Sequence, residues 1–136
     1  MFKQLLIHLW AIRFYSKDVH YLVKNSPFYG DHLLADRVMS KLDDAIDGVN
    51  EVCFLGELEN APYSKDLIPN AVSLLPAYVP DPDQAFVNLK NLLENAIVFI
   101  DDLSPDSLST GEANLIGGIA ENLQQMYGLV GRRVKS

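Results

Sequence analysis

The chain has 136 residues, 49% of them hydrophobic, which is enough for one packed core and too little for two ordinary domains, so residues 1–136 read as a single domain. Eighteen acidic against eleven basic residues leave a formal charge of −7, a balance that attracts metal cations and repels the phosphate backbone of nucleic acid. The single cysteine, Cys53, can close no intrachain disulfide and build no thiolate metal site, so nothing calls for an oxidising compartment and a cytoplasmic location is expected.

The apolar start MFKQLLIHLWAIRFY is broken by Lys3, His8, Arg13, Lys17 and Asp18 before a membrane span can form. Phe2, Leu5, Leu6, Leu9, Ile12 and Val19 recur instead at three- and four-residue steps, which predicts an amphipathic helix to about Val23, stopped by Asn25-Ser26-Pro27. A second helix is predicted from about Asp31 to Leu55 on the stripe Leu34, Ala35, Val38, Met39, Leu42, Ile46, Val49, Val52 and Cys53. Between Gly56 and Pro80, four prolines at 62, 69, 76 and 80 rule out a long helix, leaving short turns from Ser64 to Leu75. Asp81-Pro82-Asp83-Gln84 then offers an N-cap, a first-turn proline and a glutamine at the third position, ahead of a helix carrying Phe86 to Ile100 and ending near Leu103. Ser104-Pro105-Asp106 makes a turn, and Ser109-Thr110-Gly111-Glu112 is a second capping box for a last helix that frays into Gly131 and a basic end. Inside that helix Gly117-Gly118 reads as a close-packing point, not a phosphate loop. The expected fold is all-α: four helices, two short turns and one long crossover between the second and third helices, the ferritin-like four-helix bundle topology.

The polar residues of the second helix carry the functional signal. At about 100° per residue, His32, Asp36, Asp47 and Glu51 fall within an arc of roughly 100° beside the apolar stripe. His32 with Asp36, and Asp47 with Glu51, are each one turn apart, so either pair can converge on one metal ion. The two pairs cannot meet on the same ion, because Asp36 and Asp47 are eleven residues apart, about 16 Å along a helix, whereas ligand bonds are about 2 Å. Antiparallel pairing of this helix with its copy, about a two-fold axis near Ser40 to Leu42, brings Asp47 and Glu51 of one chain opposite His32 and Asp36 of the other. His20, twelve residues before His32, can be carried to the same place by the hairpin of the first two helices. The mixed nitrogen and oxygen set suits ferrous iron, with zinc, manganese or cobalt also acceptable.

The segment from His20 to Glu51, HYLVKNSPFYGDHLLADRVMSKLDDAIDGVNE, resembles the ferroxidase signature of the Dps-like ferritins: His, eleven residues, His, three, Asp, ten, Asp, three, Glu. The last helix, STGEANLIGGIAENLQQMYGLVGR, looks more loosely like that family's last helix. The resemblance implies a hollow homo-oligomer, a dodecamer built from two-fold dimers, that oxidises Fe(II) to Fe(III) with hydrogen peroxide or dioxygen, stores ferric iron and protects against oxidative stress. His20, His32 and Asp36 would come from one subunit and Asp47 and Glu51 from its mate. A three-fold pore would fall at Asp106 and Glu112, with Asp101 and Asp102 beside it. Two departures stand out: Tyr21 follows the first ligand histidine where the family commonly has Trp, and no basic extension precedes the first helix, so DNA binding is expected to be weak or absent. The competing readings are a catalytically silent ferritin-like metal binder and a DNA-compacting protein. Asp31, Asp43, Asp44 and Glu57 read as solvated surface, and His8 as a structural or surface histidine. Trp10, Phe14, Phe28 and Tyr29 read as core or dimer-packing aromatics and not as electron carriers, and Cys53 as a small buried hydrophobe.

Overall fold

Apolar residues spaced at helical intervals become buried faces in five places along the chain. The structure, a computed structural model, describes residues 1–23 and 28–135, and among these it is all-helical, with no strand. The α-helices are α1 (Phe2–Leu22), α2 (Phe28–Gly48), α3 (Ser64–Ser73), α4 (Pro82–Asp101) and α5 (Thr110–Lys135). The expected Asn25-Ser26-Pro27 stop and the Phe28 side chain lie outside the described residues. No helix among the described residues is long and apolar enough to cross a membrane.

The long helices pack α1 on α2, α4 on α5, α1 on α4 and α2 on α5, and α3 lies against α1. Their inner faces form one apolar cluster that includes Leu5, Leu9, Leu42, Phe86, Leu93 and Leu123, all essentially without exposure. Each such side chain stabilises the fold by about 1.5–3 kcal/mol relative to leaving it in water. Two polar side chains inside are satisfied: Ser16 Oγ donates to the Ile12 carbonyl at 2.6 Å, and Asn88 Nδ2 donates to the Tyr15 hydroxyl at 3.1 Å, joining α4 to α1.

Both predicted N-terminal signals are seen, one with a change. Asp81 caps α4 by accepting from the Asp83 N–H at 3.1 Å, with Pro82 in the first turn; Gln84, however, turns along the helix to donate to Asn88 Oδ1 at 3.1 Å. The α5 box is reciprocal, Ser109 N–H donating to Glu112 Oε1 at 2.8 Å and Glu112 N–H to Ser109 Oγ at 3.2 Å.

Four departures from the expected elements have physical causes or consequences. The second helix does not stay α to Leu55: it ends at Gly48 and continues as a π-helix over Val49–Phe54, where the Leu55 N–H reaches Asn50 O as well as Glu51 O. Gly48 marks the junction, and a Cβ there would stand 2.9 Å from Leu115 Cδ1, so a larger residue would have to displace the tip of that α5 side chain. The segment closes with Leu58 in the left-handed region (φ 59°), Glu59 N–H bonding Phe54 O and Leu58 N–H bonding Leu55 O, a Schellman stop built without glycine. Second, the crossover holds a ten-residue helix, α3, that runs through Pro69: the ring is exposed, and Leu67 and Ala71 are anchored in the core. Third, α5 does not fray at Gly131 but continues to Lys135, held by Val130 in the core and by Arg133. Finally, Gly117 and Gly118 are exposed, with open space around an added Cβ, so within one chain they are not the close-packing point expected.

Candidate metal centre

The α1–α2 hairpin brings the two sequence-predicted histidines together. His20 lies in the last turn of α1 and His32 near the start of α2, and their imidazole rings are 3.7 Å apart between centroids at 33°. Both residues are half-buried, and His20 Nδ1 is shut off from solvent with no hydrogen-bond partner among the described residues. A buried nitrogen in that condition is uncommon in folded proteins. Tyr21 stands edge-on to His20, ring centroids 5.5 Å apart at 76°, and so braces the ring from outside.

The three carboxylates behave differently. Asp36, Asp47 and Glu51 are all exposed, and among the described residues no group of three or more His, Cys, Asp or Glu side chains converges within the chain. Asp36 thus does not close up on the histidine pair. Glu51 sits inside the π-helix, whose bonds reach one residue further than α-helical ones and so widen the turn; it trails the position an unbroken α-helix would give it relative to Asp47. Next to it, Asn50 Oδ1 is buried without a hydrogen-bond partner among the described residues.

Two acidic residues read as solvated surface have other roles. Asp31 is buried, and its carboxylate accepts from Arg133 Nε at 2.7 Å and Nη2 at 3.0 Å. Arg133 also donates to Asp83 at 2.7 Å and lies over the Phe86 ring at 4.9 Å, and this carboxylate company raises its pKa. Asp43 pairs with Arg13 of α1. Asp44 and Glu57 are exposed as expected. Among the pore candidates, Glu112 is buried and occupied by its cap, which removes it as a solvent-facing carboxylate in this chain; Asp101, Asp102 and Asp106 are exposed.

Of the remaining assignments, His8, Trp10, Phe14 and Cys53 pack as expected, Tyr29 is not part of the core of this chain, and the Phe28 side chain lies outside the described residues. His8 packs on the Phe99 ring at 5.1 Å, and burial lowers its pKa. Trp10 and Phe14 stack at 5.5 Å against the core, whereas Tyr29 is largely exposed. Cys53 is buried; desolvation, followed by the charges of Glu112 and Glu57, pushes its thiol up to about 11, the opposite of what a nucleophile requires. No family profile, curated protein or solved structure matches the chain.

Proposed function

We propose that the protein is an iron-oxidising mini-ferritin, a ferritin-like four-helix bundle with one crossover whose metal centre is completed by a second copy of the chain. The observation that carries this reading is the contact of His20 with His32, two ring nitrogens' worth of ligand capacity held in one place by different helices. The donor chemistry fits iron: the buried, unbonded Nδ1 of His20 has a use as a ligand, and imidazole with carboxylate is a set that ferrous iron accepts. The exposed placement of Asp47 and Glu51 fits donors presented outward to a neighbour, and the eleven-residue separation of Asp36 from Asp47 keeps the two pairs apart within one chain.

In this reading Fe(II) is the substrate. Two ferrous ions give up one electron each, and hydrogen peroxide takes up both with two protons to become two waters; dioxygen is the alternative oxidant. The protein's part is positional. His20 and His32 hold nitrogen donors at the α1–α2 hairpin, Asp36 adds a carboxylate by a side-chain rotation, and Asp47 and Glu51 of the second copy close the coordination. Pairs of this kind would assemble into a closed shell, a dodecamer, that retains ferric iron, with duplex DNA excluded as a strong partner by the charge of −7.

Stopped-flow oxidation of Fe(II) by peroxide tests the reading. The parent should consume two Fe(II) per peroxide, and His20→Ala or His32→Ala should slow the reaction by about 100-fold while leaving the helical spectrum intact. Parent rates equal to those of iron in buffer would end the proposal.

A further inference from the structure

A second cleft opens on the other side of α1. It has a volume of about 390 Å3, and its walls come from the last turns of α1, through Tyr15, Asp18 and Tyr21, and from the connection between α3 and α4, through Leu75, Pro76 and Tyr78. At about 100° per residue, Tyr15 faces away from His20 by roughly 140° and Asp18 and Leu22 by roughly 160°, so the cleft opens on a different face of α1 from the histidine centre. Tyr21 lies between the two.

Three features define what the cleft can hold. Three tyrosines line it, Tyr15 buried and Tyr21 and Tyr78 largely exposed, and the face of an aromatic ring is negative. Asp18 adds a full negative charge and has no ion-pair or hydrogen-bonded partner among the described residues, none of the described lining residues being basic. The inner wall is fixed in place, because the Tyr15 hydroxyl accepts from Asn88, whose own oxygen accepts from Gln84. A hard metal ion is a poor occupant, since one carboxylate among phenol rings offers too few oxygen ligands. A primary ammonium is compact and strongly hydrated. A methylated ammonium is large and weakly hydrated, and its chemistry suits tyrosines and a carboxylate together; a cleft of this volume falls in the range of small-molecule sites.

We propose that this cleft binds a free small organic cation of the quaternary ammonium class, its head group against Tyr15, Tyr21 and Tyr78 and its charge balanced by Asp18. No histidine lines the cleft and iron takes no part, so its binding is read separately from the proposed oxidation chemistry, with Tyr21, which touches His20, the residue common to both.

Calorimetric titration of the full chain in its native assembly tests it, with choline chloride as probe, 3,3-dimethylbutan-1-ol as the neutral isostere and sodium chloride as the ionic control. Choline should bind saturably and at least about 10-fold more tightly than the isostere. Asp18→Asn should weaken choline about 10-fold, and Tyr78→Ala several-fold, with Tyr78→Phe restoring the loss because the ring face is kept. Tyr78 is 82% exposed, so its replacement does not endanger the core. Choline binding should be unchanged in His32→Ala, which leaves the His20–Tyr21 contact in place. Equal affinity for the isostere would show a merely apolar cleft and overturn the proposal. So would the absence of saturable heat up to about 50 mM choline, or affinities untouched by Asp18→Asn and Tyr78→Ala. A trimethyllysine peptide binding more tightly than choline would overturn the assignment to a free small cation.

Discussion

Replacing Arg133 with Met should destabilise the fold far more than loss of an ordinary surface charge, because the partner left behind is buried. The Asp31 side chain is 4% exposed and takes two parallel bonds from Arg133, whereas Asp83, the other partner, is 78% exposed and contributes a few tenths of a kcal/mol at most. Breaking a buried pair costs about 3–5 kcal/mol, mostly because a charge remains without its counterion. With Arg133 itself 19% exposed, water can partly reach the vacated place, and we take the lower end, about 3 kcal/mol. The contact with the Phe86 ring is already inside that figure, since the same substitution removes both. Asp31→Leu combined with Arg133→Met leaves no unpaired charge and should return to within about 1 kcal/mol of the parent. Urea unfolding followed by circular dichroism, at one fixed protein concentration, measures all four corners of the cycle. A cost below about 1 kcal/mol for Arg133→Met, or a double variant no better than the single ones, would refute the clamp.

Two other consequences are within reach of simple assays. Leu58 holds a left-handed conformation while 97% exposed, so Leu58→Gly should relieve strain and raise stability by about 1 kcal/mol; an unchanged or lower urea midpoint would contradict this. Cys53 has its thiol pushed up to about 11 from 9.0, so at pH 8 its thiolate fraction is about 100-fold below that of a free cysteine, and alkylation should slow accordingly. Between pH 9 and 11 the unfolded chain loses this proton and the folded one keeps it, so the contribution of Cys53 to stability falls as pH rises through that window. Alkylation at the rate of a free thiol would remove both expectations.

What the sequence reveals depends on how far its causes reach along the chain. The helix starts are legible because their causes are local: Asp81 before Pro82, and Ser109 three residues before Glu112, satisfy backbone donors within one turn. The meeting of His20 and His32 is also legible, since a short hairpin sets it. The end of α5 is not, because the residue that holds it, Arg133, finds Asp31 at a separation of 102 residues, and no local pattern announces that pair. For the same reason Asp31 reads as surface. The π-helix escapes the periodic reading as well: Val49, Val52 and Cys53 continue an α-helical stripe in sequence, while the close approach of Gly48 to Leu115 is a tertiary fact. The tyrosine cleft is half visible, as Tyr15, Asp18 and Leu22 share a helix face, but Tyr78 arrives from the crossover and no spacing predicts it.

The central claim, a metal centre divided between two copies of the chain, is tested most directly by co-expressing two damaged chains. One carries His32→Ala with Asp36→Ala, the other Asp47→Ala with Glu51→Ala, and each homo-oligomer alone should oxidise no iron beyond the buffer rate. In a mixed pair both lesions fall on one shared centre and leave the other intact, so about half the centres of each mixed pair should return. Recovered peroxide-dependent oxidation of Fe(II), in proportion to the mixed pairs counted by native mass spectrometry, is the predicted result. Mixed pairs verified by mass that recover no activity would contradict the shared centre.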